Sequence, residues 1–190
     1  MGRMPFDRSA DWSGSALEAG PSAEQDWGRE LELIYRRHRD DVYRIAVRYG
    51  GGRREWAEDL VQDVFIALAG ALPGLQDRDL LMGWLYRVTT RRCLNRLQYE
   101  RVRALAPLAW VAERWSAAPP RPDAIVATRC EADRALALLS SLPPKERVAF
   151  SMYHLDERSV EEIGQTLGHT KGYVSKLIQR AETRLREALA

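Results

Sequence analysis

The chain has 190 residues, of which 45% are hydrophobic and 29% charged, with a formal net charge of +2. This composition is typical of a water-soluble globular protein with room for one larger domain or two small ones. No apolar run approaches the roughly 20 residues of a membrane-spanning helix, and the N-terminus lacks the apolar core of a signal peptide, so we expect a cytoplasmic protein without membrane insertion.

The first part of the chain lacks the sequence pattern of a folded segment. It is rich in Gly, Ser and Ala, shows no apolar periodicity, and holds six acidic and three basic residues within positions 1–30. We therefore predict a disordered acidic tail over residues 1–28. From Arg29 onward, apolar residues between Leu31 and Tyr49 recur on one helical stripe, which ends at three consecutive glycines, Gly50 to Gly52.

The second predicted helix, over about residues 54–72, has two organised faces. One face is apolar and is predicted to be buried; it carries Ala57, Leu60, Val61, Val64, Leu68 and Leu72. The opposite face carries Asp59, Gln62, Asp63 and Ile66 at helical spacing. This outer stripe is either a solvated surface or a protein-binding face, and the apolar Ile66 among polar neighbours favours binding. Acid–base catalysis is not expected, because no pocket residues accompany the carboxylates.

In the third segment, from Asp79, the apolar residues change face. Leu80, Leu81, Trp84 and Val88 share one side, whereas Leu94 and Leu97 lie on a side rotated away from it. We therefore predict an irregular or looped connection between two helical pieces at Thr89–Arg92.

The same segment is strongly basic, since residues 86–103 hold six arginines and one glutamate. Arginines interleaved with aromatic rings suit single-stranded DNA, whose bases stack on such rings. The alternative is a solvated arginine face without a partner. The DNA-binding candidates in this segment are Arg87, Arg91, Arg92, Arg96 and Tyr99.

Prolines 107, 119, 120 and 122 interrupt the next stretch, which we predict to be a linker over residues 106–128. The sequence therefore predicts two small all-α domains, residues 29–105 and residues 129–190. In the second domain, one helix is expected to bury Ala132, Ala135, Leu136, Leu139 and Leu142. Another begins at Pro143–Pro144 and carries Val148, Met152 and Leu155.

The last two helices of this four-helix domain form a predicted helix-turn-helix. Ser159 and Glu162 have the spacing of a capping box, Gly168 ends the first helix, and Thr170 is a candidate N-cap of the second. The outer face of the second helix is polar and can reach phosphates or base edges. Its members are Gly172, Ser175, Lys176, Gln179, Arg180 and Thr183. Such helix pairs also occur in domains that bind no nucleic acid.

Residues for other chemistry are sparse. Cys93 and Cys130 are isolated, and the only histidines are His38, His154 and His169. We expect free thiols and neither a metal nor a cofactor. No nucleophile–base pair and no phosphate-binding glycine loop is present, so the protein is not expected to be an enzyme.

Three motifs, in this order and separated by the Pro-rich linker, resemble the bacterial extracytoplasmic function (ECF) sigma factors of the sigma-70 family. They are AEDLVQDVF at 57–65, WLYRVTTRRCLNRL at 84–97, and LPPKERVAF at 142–150 followed by the helix-turn-helix. The resemblance covers about Leu31 to Leu189. It implies a subunit that directs core RNA polymerase to promoters.

The resemblance also implies roles for individual residues. Asp59, Gln62, Asp63 and Phe65 would bind the clamp helices of the β′ subunit. The segment Arg91 to Asn95 would form a loop that captures a flipped base of the −10 element. The helix from Lys171 to Arg180, with Tyr173, would read the −35 element, and apolar residues of the C-terminal domain would hold the β-flap tip. Arg91 and the Tyr173–Lys176 segment depart from the commoner family pattern, so base preferences do not carry over.

The sequence therefore predicts a promoter-specificity factor whose partners are the β and β′ subunits of core polymerase and promoter DNA. Because no regulatory domain follows the helix-turn-helix, regulation is expected from an anti-sigma factor or from expression level. The alternative is a dimeric helix-turn-helix repressor or activator, which would bind palindromic half-sites and need no polymerase-binding face.

Overall fold

The computed structural model describes residues 21–75, 80–105 and 127–189, and every regular element in these ranges is helical. The α-helices are α1 (Pro21–Tyr49), α2 (Arg54–Ala71), α3 (Leu81–Leu105), α4 (Ala127–Ser141), α5 (Pro144–His154), α6 (Val160–Leu167) and α7 (Lys171–Leu189). The predicted all-α fold is confirmed. Most of the predicted acidic tail and most of the predicted linker lie outside the described residues. No described helix is long and apolar enough to cross a membrane.

The first helix begins at Pro21, so the prediction that helical order starts near Arg29 was wrong. The segment before Arg29 has no apolar stripe, which is why periodicity missed it. It does have proline at the first helical position and Ala, Glu and Gln after it, which favour helix.

The second helix follows its prediction closely. The six residues of the predicted apolar face are all buried, Leu60 and Leu68 almost completely, and they pack against α1 and α3. The glycines after α1 make the tight return that this packing needs, because Gly51 and Gly52 both have positive φ. The three helices α1 to α3 therefore form one compact N-terminal half.

The predicted break at Thr89–Arg92 is wrong, because α3 runs without interruption through this segment. Thr89 and Thr90 are fully buried and join the apolar residues on either side into one stripe through Leu85 and Cys93. The Thr89 hydroxyl donates a 2.7 Å hydrogen bond to the carbonyl of Leu85, one turn earlier. A threonine that satisfies its hydroxyl in this way packs like an apolar residue. Leu80, expected on the inner face, is instead 63% exposed.

Helices α4 to α7 form the predicted four-helix C-terminal half. Leu139, Leu142, Val148 and Met152 are buried as expected. Ala132, Ala135 and Leu155 are exposed, contrary to the prediction. Both alanines precede Leu139, the first residue of α4 that is buried among those whose burial is described, and Leu155 follows the last residue of α5.

The two halves pack against each other rather than standing apart. One hydrophobic core contains Tyr49, Leu85 and Cys93 of the N-terminal half together with Met152 and Ile163 of the C-terminal half. The buried guanidinium of Arg147 in α5 donates a 3.2 Å hydrogen bond to the carbonyl of Tyr49. Sequence reasoning gave no indication of this contact.

Candidate functional site

The outer face of α2 has the exposure that its pattern predicts. Asp59, Gln62 and Asp63 are exposed, and Ile66 is 71% exposed at the end of the same stripe. Phe65 does not belong to this face, which corrects its expected surface role. Only 6% of Phe65 is exposed, and its ring packs edge-on against Tyr35 of α1 with the centroids 4.8 Å apart.

A polar network links this face to α3. The guanidinium of Arg96 lies 3.0 Å from the carboxylate of Asp59 and 5.3 Å from the centroid of the Trp56 ring. The indole of Trp56 in turn donates a 2.7 Å hydrogen bond to the carboxylate of Glu100. The same carboxylate forms a 2.8 Å ion pair with the guanidinium of Arg53. Sequence reasoning missed Trp56 and Glu100 as positioning residues for Arg96. The available signal was the helical spacing of Arg96 and Glu100.

The DNA-binding candidates of α3 lie mainly on its solvent side. Arg91, Arg92, Asn95 and Tyr99 are exposed, while Arg87 and Arg96 are half-buried. The segment Arg91 to Asn95 is helical and not the expected loop. Arg91 is also engaged, since its Nε donates a 3.0 Å hydrogen bond to the carbonyl of Thr166 in α6.

The helix-turn-helix is built by the predicted local signals. The Ser159 hydroxyl accepts from the amide of Glu162 at 3.2 Å, and the Glu162 carboxylate accepts from the amide of Ser159 at 2.8 Å. The amide and then the hydroxyl of Ser159, both donating to the Glu162 carboxylate, lower the pKa of Glu162. Gly168 ends α6 with a φ of 71°, and the Thr170 hydroxyl accepts from the amide of Tyr173 at 3.3 Å.

Gly164 allows the turn to fold back onto α6. A Cβ at this position would lie 2.7 Å from the carbonyl oxygen of His169. The small residue is therefore required by the backbone of the turn. Burial, followed by the nearby charge of Lys145, lowers the pKa of His169, so this turn carries a neutral imidazole at neutral pH.

The second helix of the motif, α7, presents the predicted polar face. Lys176, Gln179, Arg180 and Thr183 are exposed and line one open surface patch. Ser175 is half-buried. Lys171 forms a 2.7 Å ion pair with Glu161, and Tyr173 packs edge-on against the ring of His169. The patch contains cations, an amide and a hydroxyl, which are the groups that contact phosphates and base edges.

The described residues hold no group of His, Cys, Asp and Glu that could bind a metal ion. Cys93 is buried in the core, and burial raises the pKa of its thiol well above the ordinary value. A thiol in such surroundings is a structural side chain and not a nucleophile.

Comparison with known proteins shows that both halves match regions of the same protein family. Residues 34–103 match sigma-70 region 2, and residues 138–187 match sigma-70 region 4. The chain is 37% identical over 160 residues to the ECF RNA polymerase sigma factor SigE of Mycolicibacterium smegmatis, which covers 84% of this chain and 61% of that protein. It is 32% identical over 164 residues to the RNA polymerase sigma-E factor of Streptomyces avermitilis, covering 84% of this chain and 85% of that protein.

Among solved structures, the fold matches the sigma factor RpoE of Bartonella quintana in complex with the anti-sigma factor NepR. The TM-score is 0.56 at 20% identity, over 87% of this chain and 97% of that one.

The chain belongs to the ECF sigma factors of the sigma-70 family. It is a sigma factor, a non-enzymatic protein that binds core RNA polymerase and directs it to promoter DNA. The alternative of a dimeric repressor or activator gains no support from these matches.

Proposed function

We propose that the two halves divide the work of promoter recognition. The outer face of α2, comprising Asp59, Gln62, Asp63 and Ile66, binds the β′ clamp helices. The exposed side of α3 contacts the −10 element through Arg87, Arg91, Arg92, Asn95, Arg96 and Tyr99. The polar face of α7 reads the −35 element through Lys171, Tyr173, Ser175, Lys176, Gln179 and Arg180.

The main support for the proposed polymerase-binding site is the exposure of Ile66 next to two carboxylates. A large apolar side chain at 71% exposure has no structural role in the N-terminal half, whose core lies on the opposite face of α2. Interfaces combine an apolar anchor with polar neighbours in this way. The carboxylates would pair with cations on the clamp.

Charge reversal at Asp63 tests this site. Asp63→Lys places like charges across the interface, and we expect core polymerase to bind at least tenfold more weakly, because unpaired or repelling charges at interfaces cost several kcal/mol. The side chain is exposed, so the free energy of unfolding should change by no more than about 0.5 kcal/mol. Asp133→Lys, an exposed acid on α4, makes the same charge change and should bind normally. Normal binding by Asp63→Lys would remove the site from α2.

The DNA site on α7 rests on the capped geometry of the helix-turn-helix. The capping box and the left-handed Gly168 fix the angle at which α7 leaves the turn, and its exposed face carries groups for both phosphate and base contacts. Recognition helices of this motif lie in the major groove.

Two further proposals concern the cellular location and the regulation of the protein. Since RNA polymerase and the chromosome are in the bacterial cytoplasm, we place the protein there. We also propose that an anti-sigma factor regulates it. This is supported by the fold match to a sigma factor that was solved with an anti-sigma factor bound.

A further inference from the structure

The two halves of the chain meet at a polar contact centred on Asp156. This residue lies between α5 and α6, and 8% of its side chain is exposed. Among the described residues, the side chains that donate to it all come from the N-terminal half. Arg48 and Tyr49 donate from the end of α1, and Tyr86 donates from α3 at 2.9 Å.

Neighbouring groups strengthen this contact. The guanidinium of Arg158 lies 4.6 Å from the centroid of the Tyr86 ring, which again joins the two halves. Hydrogen bonds to a carboxylate are roughly twice as strong as neutral ones, and a buried carboxylate without donors is costly. Asp156 therefore favours the packed arrangement of the two halves.

Groups proposed to bind DNA lie at the same junction. Arg91 of α3 is held by the carbonyl of Thr166 at 3.0 Å. Nearby, a groove of about 320 Å³ is lined by Gln98 and Arg101 of α3 together with Tyr173 and Arg180 of α7. The two helices proposed for the −10 and −35 elements, α3 and α7, therefore line one groove.

The −10 and −35 elements of a promoter do not lie side by side. Positions −10 and −35 are about 25 base pairs apart, or about 85 Å at 3.4 Å per base pair. Duplex DNA of this length is far below its persistence length of about 150 base pairs, so it stays nearly straight. A compact unit of about 150 residues has a radius of gyration of about 15 Å and cannot span that distance.

We propose that the contacts of Asp156 with Arg48, Tyr49 and Tyr86 form an autoinhibitory latch. The latch holds the free chain closed and must break before α3 and α7 engage the two promoter elements. This inference rests on the proposed function of α3 and α7. When only a fraction of the chain is open, the apparent affinity for the promoter complex is lowered by that fraction.

The test uses the full-length chain and its variant Asp156→Asn, which keeps the shape of the side chain but removes the charge and turns an NH₂ group toward the donors. Glu157→Gln is the matched control, because it makes the same charge change on the exposed adjacent residue. Small-angle X-ray scattering measures closure. Promoter binding is measured with excess core polymerase, as the chain concentration at half-maximal occupancy of a promoter selected from random DNA by the unmodified holoenzyme.

We expect Asp156→Asn to raise the radius of gyration and to lower the half-maximal concentration about tenfold, which is the effect of losing one charge-assisted hydrogen bond from the closed state. Glu157→Gln should change neither quantity. Tyr86→Phe should act in the same direction as Asp156→Asn, and combining the two should add little, because both break one contact. If Asp156→Asn loses its helical circular dichroism, Tyr86→Phe alone serves as the opening variant.

Two outcomes would overturn the latch. One is an unchanged radius of gyration in both the single variants and the double variant. The other is a chain that opens without any gain in promoter occupancy. Failure of the proposed function is distinguishable, because an unmodified chain that never binds polymerase would still report closure by scattering.

Discussion

The phenolic oxygen of Tyr86 donates a 2.9 Å hydrogen bond to Oδ2 of Asp156, which lies 70 positions later in the chain. The same phenol is 3.2 Å from the hydroxyl of Tyr49. Burial is the main reason that the pKa of Tyr86 rises to about 12, and the charge of Asp156 raises it further, while the hydrogen bond with Tyr49 opposes both. The tyrosine pair thus responds to pH only in the alkaline range.

The raised pKa predicts an alkaline transition. Because the pKa of Tyr86 in the packed structure exceeds the ordinary value of about 10, its contribution to stability is complete below pH 10 and is lost as pH rises through 12. The ultraviolet absorbance of tyrosinate measures this as the difference between the titrations of the chain and Tyr86→Phe. A difference titration centred near pH 10 would contradict the buried environment. Between pH 6 and 8 the phenol of Tyr86 should stay protonated.

Base readout by α7 predicts different losses at neighbouring positions. Gln179→Ala or Arg180→Ala should cost about 1 to 3 kcal/mol of promoter binding and relax the preference at particular −35 positions. Lys176→Ala should weaken all sequences alike and flatten the salt dependence, as loss of a phosphate contact does. Holoenzyme binding to a set of −35 variants at several salt concentrations separates the two patterns. Equal, sequence-independent losses for all three would mean that this face reads no bases.

The turn of the helix-turn-helix predicts opposite effects for two nearby glycines. Gly168→Ala forces a Cβ into the left-handed region and should destabilise by about 1 kcal/mol. Gly172→Ala, where no atom lies within 4 Å of the new Cβ, should stabilise α7 by about 0.5 to 1 kcal/mol. In a chain of this size each kcal/mol shifts Tm by about 2 to 4 °C. Thermal melts that move in the same direction would contradict this assignment of the turn.

The capping box predicts a further loss of stability. Ser159→Ala removes the hydroxyl that accepts from the amide of Glu162, and the cost should be about 1 kcal/mol in a thermal melt. Thr183→Ala removes a hydroxyl from the middle of α7, where alanine is the better helix former, and should not destabilise. An equal loss in both variants would show that the hydroxyl of Ser159 has no special role.

Sequence reasoning succeeded where a local signal determines the structure. The apolar face of α2 follows from helical spacing, and the capping box and Gly168 follow from short-range hydrogen bonding and from the φ that glycine tolerates. These features depend on residues within one or two turns, so spacing alone identifies them.

Sequence reasoning failed where the surroundings of a residue, and not its type, decide whether its side chain is buried or bonded. Thr89 and Thr90 are polar residue types, yet both pack in the core. The carbonyl of Leu85, one turn earlier, accepts the hydrogen bond of the Thr89 hydroxyl, and α3 is continuous. Phe65 adjoins an exposed stripe but is turned toward Tyr35. Asp156 stands in a short turn with no local pattern, and its partners are 70 or more positions away. Such contacts become visible only after the halves have packed.

The 3.0 Å ion pair between Asp59 and Arg96 joins the face proposed for polymerase to the helix proposed for the −10 element. A clamp cation that takes Asp59 frees the Arg96 guanidinium for a phosphate, and a phosphate that takes Arg96 frees Asp59 for the clamp. Binding free energies at linked sites are reciprocal, so each partner strengthens the other by the same factor. For a solvent-accessible pair worth at most about 1 kcal/mol, that factor is up to about five. With the two sites as proposed, this one surface ion pair would make polymerase and promoter cooperative ligands of one small protein.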